Sequence, residues 1–165
     1  MNHLGGHKIF SVPNQKRKRV LTMSKTAIIY WSGTGNTEAM AAAIAEGAKS
    51  VNPETAYFSV SDISADEAAA YDTLILGCPA MGAEVLEEDE FEPFFTDLEG
   101  KLSGKNVALF GSYGWGDGEW MRNWEERVIA AGAKLVGGEG LMINDAPDND
   151  GLEQCRELGK TAAAL

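Results

Sequence analysis

No apolar run in this sequence approaches the ~18 residues that a membrane-spanning helix needs. Cysteine is scarce: Cys78 and Cys155 are the only two in 165 residues. Two are too few for a disulfide framework or a Cys-rich zinc site, and they fit a reducing, cytoplasmic setting. Both histidines, His3 and His7, lie at the start, so the rest of the chain holds no His-based catalyst or His-ligated zinc. Five prolines against 19 glycines point to tight turns and close backbone approaches rather than a linker. Positive charge is rare beyond residue 22. Five of the 14 Lys/Arg fall in residues 1–22, leaving nine against 25 Asp/Glu and a formal −16 on the remaining 143. So acidic a body is a poor nucleic-acid ligand, because phosphate contacts need basic side chains. What is plentiful is apolar: 44% of residues are hydrophobic, enough for a core, in about one domain's length.

Residues 1–22 read differently from the rest. They show no strand or helix periodicity and carry the basic run Lys16-Arg17-Lys18-Arg19. The run has the look of a nucleic-acid or targeting patch, but no apolar stretch follows it as a secretory signal requires. Lys and Arg can be encoded by purine-only codons, and the run ends just before Met23. A translated ribosome-binding site upstream of the true start, or an expression-derived extension, accounts for it more simply. The expectation is a disordered basic leader over 1–22 and a folded domain over 23–165. Mass spectrometry of the protein from its native cell tests it.

From residue 26 the chain alternates short β-rich runs with helical ones, the pattern of an α/β fold with a parallel sheet. Thr26–Trp31, Thr55–Val60, Thr73–Gly77, Val107–Gly111 and Lys134–Ile143 are the strand candidates. Helical spacing marks Asn36–Val51 through Met40, Ile44 and Ala48, and a second helix through Phe91, Phe94, Phe95, Leu98 and Leu102. Trp120, Trp124 and Val128 stripe a third helix closed by Gly132, and Leu152, Cys155, Leu158 and Ala162 a terminal one. These add up to five strands with helices on both faces, a doubly wound sheet. Ligands of such sheets sit beyond the carboxyl ends of the strands.

Three of those ends carry distinctive chemistry. Ser32, Gly33, Thr34, Gly35, Asn36 and Thr37 turn directly from a strand into a helix. Glycines let the backbone approach closely, and the helix start supplies unpaired N–H groups suited to a phosphate. The loop lacks the Gly-Lys-Ser/Thr ending of a P-loop and is not GxGxxG, so it would hold a phosphate with neutral donors. In the turn Ala80, Met81, Gly82, Ala83 and Glu84, Met81 suits a ring face and Glu84 can accept a ring N–H. Glu87, Glu88, Asp89 and Glu90 follow, a solvated, acidic helix start. Ser112, Tyr113, Gly114, Trp115 and Gly116 place a tryptophan between glycines, where it can lie flat on a planar ligand. Trp120 and Trp124, at helical spacing, are core.

SGTGNT after IIYW, LILGCPAMG, EEDEFEPF, ALFGSYGWGDGEWM and NDAPD, in this order, resemble the short-chain flavodoxins of anaerobic bacteria such as clostridia. The similarity covers the body from Met23 onward and none of the leader. It implies a flavodoxin-like five-stranded parallel sheet in the order 2-1-3-4-5 and non-covalently bound FMN. The phosphate falls to Ser32–Thr37, the two ring faces to Met81 and Trp115, N5 to Gly82 and N3 to Glu84. Ser112, Gly114 and Asn144 would line the flavin and ribityl chain. The resemblance also implies that the Gly82–Ala83 peptide turns on reduction. Ala83 stands where relatives often have an acid, and Pro79 where they often have serine. The implied activity is that of a monomeric, low-potential one-electron carrier whose acids, with no cation near the site, disfavour the anionic reduced flavin. Its partners would be redox proteins with basic docking surfaces, of the ferredoxin type, with no nucleic acid and no membrane. The alternative is an NAD(P)H-dependent flavin or quinone reductase of the same fold, which needs a nicotinamide pocket that the sequence does not display. A receiver domain would need an aspartate where Gly77-Cys78 ends the third strand.

Overall fold

The computed structural model describes residues 24–165; the leader lies outside them. Strand β1 (Thr26–Tyr30) leads into helix α1 (Asn36–Val51), and β2 (Ala56–Ser59) follows. A 3-10 turn at Val60–Asp62 and a single-turn helix α2 (Ala65–Ala68) come next, then β3 (Thr73–Gly77). Helix α3 (Phe91–Glu99) precedes β4 (Asn106–Tyr113), and α4 (Glu119–Ala130) precedes β5 (Lys134–Leu135). After a 3-10 turn at Val136–Gly138 come β6 (Leu141–Asn144) and α5 (Asn149–Ala163).

The strands run in the order β2-β1-β3-β4-β5, all parallel, with β6 also paired to β4. The expected single last strand over Lys134–Ile143 is corrected to two pieces on one edge. β5 pairs with Asn106 and Val107, and β6 with Phe110–Tyr113. Between them Gly137 and Gly138 sit at φ 75° and 79°, a left-handed conformation in which a strand cannot continue. Helix α2 is an element the periodicity missed, because one turn has no period. Its signal was the capping box: Ser64 Oγ accepts the Glu67 N–H at 3.1 Å, and Glu67 returns to the Ser64 N–H at 3.0 Å.

Alternation along the strands sorts side chains onto two buried faces. Ala27, Ile29, Leu74, Leu76, Val107 and Leu109 face Phe91, Phe95, Leu98, Trp120 and Trp124 from α3 and α4. Ile28, Ile75, Ala108 and Phe110 face Met40, Ile44, Cys155 and Ala162 from α1 and α5. Coverage on both sides is why the strands read as unbroken apolar runs. Leu102, expected in the second helix, lies past its end but is buried all the same. Trp120 and Trp124 are core as expected, the latter edge-on to Phe91 and Phe95. Among the described residues no helix is long and apolar enough to cross a membrane. The strand ends carrying the three motifs converge on one edge of the sheet.

Candidate functional site

A cleft of about 260 Å³ opens at those carboxyl ends. Of the sequence-derived residues, Gly33, Thr34, Asn36, Ala80, Met81, Ser112, Tyr113 and Gly114 line it, with Pro79, noted above as a departure from relatives, and two to which the sequence reading assigned no role, Trp31 and Asp145. Trp31 had a local signal, an aromatic at the strand tip beside Ser32. Its indole N–H reaches Glu90 Oε1 at 3.3 Å.

At the head of α1, Ser32 Oγ accepts the N–H groups of Gly35 (3.2 Å) and Glu38 (3.1 Å), so this hydroxyl reaches back from the loop to cap the first turn. The amides of Gly33, Thr34, Asn36 and Thr37 find no acceptor among the described residues. They form a cluster of free donors at a helix N-terminus, a setting for an anion without a side-chain cation. The Thr37 side chain turns inward: its buried hydroxyl lies 3.0 Å from Ser112 Oγ and accepts the Ser112 N–H at 3.3 Å, tying α1 to β4.

The Met81–Glu84 segment is a hydrogen-bonded turn, with Glu84 N–H donating to Met81 O at 2.8 Å and Met81 N–H to Val85 O at 2.9 Å. Neither Gly82 nor Ala83 is left-handed, whereas Glu84 is, at φ 55°. That backbone drops the Glu84 side chain into the protein, 8% exposed. Glu84 Oε2 accepts the Trp120 N–H at 2.9 Å, while Oε1 is buried and has no partner among the described residues. Gly116 lies directly over it, and a Cβ there would collide with Oε1.

The acids after this turn are not alike. Glu88, Asp89 and Glu90 are exposed, but Glu87 is 5% exposed, correcting the uniformly solvated reading. Its carboxylate accepts the N–H groups of Asp89 (2.7 Å), Glu90 and Phe91 (both 2.8 Å). Its own N–H points to Cys78 Sγ at 3.4 Å. Burial opposes ionisation of Glu87, but the three backbone donors outweigh it and hold the carboxyl below its usual range.

After β4, Asn144 Nδ2 donates to the carbonyls of Tyr113 (3.2 Å) and Gly114 (2.9 Å). Asn144 thus ties a loop rather than lining the cleft. Trp115 stands at the tip, 67% exposed. One cation does reach this corner, against expectation. Arg122, at the head of α4, pairs with Asp117 at 3.0 Å.

A buried, unsatisfied carboxylate oxygen asks for a ligand N–H, and unpaired helix amides ask for an anion. A planar heterocycle with a ring N–H and a phosphate offers both, so the residues present fit FMN. Residues 28–159 match the Flavodoxin family. The chain is 52% identical over 138 residues to the flavodoxin of Clostridium beijerinckii, covering 84% of this chain and 99% of that one. It is 50% identical over 136 residues to the flavodoxin of Megasphaera elsdenii, covering 82% and 96%. The solution structure of two-electron reduced Megasphaera elsdenii flavodoxin superposes with a TM-score of 0.76 at 48% identity, over 85% of this chain and 99% of that one. The chain belongs to the flavodoxin family. It is an FMN-binding electron carrier.

Proposed function

We propose that this flavodoxin passes electrons one at a time, at low potential, between other redox proteins, and catalyses no turnover of its own. In this reading the free amides of the Ser32–Thr37 loop hold the FMN phosphate. Met81 and Trp115 cover the two ring faces, and Ala80, Ser112, Tyr113 and Gly114 line the groove between phosphate and ring. Gly82 and Ala83 lie along the ring edge, Gly116 packs on the Glu84 carboxylate where a Cβ would not fit, and Asn144 fixes the loop that carries Trp115. Bound FMN supplies the one-electron chemistry; the protein supplies its orientation and field. The observation that carries the reading is the set of unpaired amides at Gly33, Thr34, Asn36 and Thr37, three of these residues lining the cleft.

Charge supports the low potential. A carboxylate ~10 Å away costs an anionic ring about 0.4 kcal/mol in a water-like medium, on the order of 20 mV, and more where the surroundings are dry. Several acids cluster here, and the phosphate loop has no Lys or Arg. The same acidity suits partners with basic docking faces, met in the cytoplasm by a monomer. Anaerobic mixing tests the reading. Dithionite should reduce the yellow protein in two resolved one-electron steps while NAD(P)H leaves it oxidised for minutes. Rapid reduction by NAD(P)H would make it a reductase, and a colourless protein that rejects added FMN would remove the site.

A further inference from the structure

The loop between β4 and α4 has an unusual construction. Its entrance is fixed by Asn144 on the carbonyls of Tyr113 and Gly114, and its exit by the N–H groups of Met121 and Arg122 on Gly118 O, both at 3.0 Å. Between these anchors Gly116 and Gly118 are left-handed, at φ 94° and 95°, and Trp115 projects into solvent. Backbone this free costs entropy to hold still. Among the described residues, the side chain that hydrogen-bonds to residues 115–117 is that of Arg122. Its Nη1 donates to the Asp117 carbonyl at 2.9 Å, and its Nη2 to Asp117 Oδ1 at 3.0 Å.

We propose that Arg122 is a positioning residue: it grips Asp117 by carbonyl and carboxylate together, holds the Trp115 loop in one shape, and so governs how fast FMN is released. The inference rests on the reading that Trp115 covers the flavin. Arg122 can act as an anchor because it stands on the first turns of α4, between Trp120 and Trp124, both locked in the core. The planar guanidinium spans two oxygens of one residue, which a lysine ammonium cannot do with the same geometry. The pair is exposed, so its effect is modest and screened by salt. A modest latch still matters here, because apart from the packing of Gly116 on Glu84 no other side chain among the described residues holds the loop tip.

Stopped-flow release of FMN from the full-length protein tests the latch with Arg122→Gln, Arg122→Lys, Asp117→Asn and the Asp117→Asn/Arg122→Gln double variant. Each single change should speed release about two- to fivefold, the size of a well-formed surface pair. The double variant should be no faster than the faster single, since both remove one interaction. Arg122→Lys should behave like Arg122→Gln, and the thermal midpoint of the flavin-free protein should stay at the parent's. Parental release rates in every variant, or single effects that multiply in the double, would overturn the proposal. Backbone 15N relaxation in the flavin-free protein gives an independent reading: the order parameters of Gly116 and Asp117 should fall in Arg122→Gln, and unchanged order parameters would also overturn it. If the parent itself takes up no FMN, the function proposed above falls, and the relaxation arm still judges the latch.

Discussion

Ala83 occupies the third position of the Met81–Glu84 turn, and its methyl group limits which way that turn can face. With φ negative at both central residues, turning the Gly82–Ala83 peptide over places Ala83, not Gly82, in the left-handed region. For a residue with a Cβ this costs ~1–2 kcal/mol. If reduction turns this peptide, as the resemblance to flavodoxins implies, Ala83→Gly should raise the first one-electron midpoint by about 40 mV or more. Potentiometric titration of the two proteins checks it; equal midpoints would mean the turn stays put. Glu87 gives a second prediction. Its depressed pKa means that its contribution is complete above the unfolded value near ~4.3 and is lost as pH falls through the lower folded value. Glu87→Ala should cost about 2 kcal/mol at neutral pH by stranding three backbone donors. Its urea midpoint should also decline less than the parent's below roughly pH 4.5. Neither residue's role is legible in the sequence. Glu87 through Glu90 are four acids in a row, and only the fold decides which one turns inward. The same holds for Glu84: its type suggested a ring N–H acceptor, but the backbone twist that buries it depends on the Trp120 amide 36 residues away.

At the scale of elements, what the sequence made readable was local. Helix α1 begins and ends where its spacing said, and Thr73–Gly77 is the central strand its apolar run suggested. Errors fell where a signal was non-local or too short, at the broken edge strand and the one-turn helix. Helix pairing was also invisible. α1 and α5 cross so closely that a Cβ on Gly47 would strike the Arg156 carbonyl, and one on Gly159 the Ile44 carbonyl. Nothing there is flexible enough to yield except the helices themselves. Gly159→Ala should therefore lower stability by about 1–3 kcal/mol despite alanine's better helix propensity. Chemical denaturation checks this, and a variant at least as stable as the parent would show that the two helices can separate without loss. By contrast, α3 and α4 are joined by Arg127, which bonds Glu92 and Glu99 while lying 4.8 Å over the Phe95 ring. Opposite sides of one sheet are closed by different means: backbone proximity on one, a guanidinium clasp on the other.

The whole molecule acts through its charge. Electron exchange with a basic redox protein should slow roughly tenfold or more between ~10 and ~500 mM salt, as screening shortens the reach of the acidic field. Protein beginning at Met23 is the one to measure, because the five basic residues before it would mask part of that field. A rate indifferent to salt would mean that the acidic field does not govern docking. The α1–α5 crossing has a consequence of another kind. It joins the first helix of the domain to the last, with Arg156 reaching Glu46 across 110 positions of sequence. During synthesis α1 leaves the ribosome early, and its glycine-notched face has no cover until the end of the chain follows. The nascent domain therefore waits for its own C-terminus. Until then one face of its sheet is covered by α1 alone, and that interval is when a chaperone would find it.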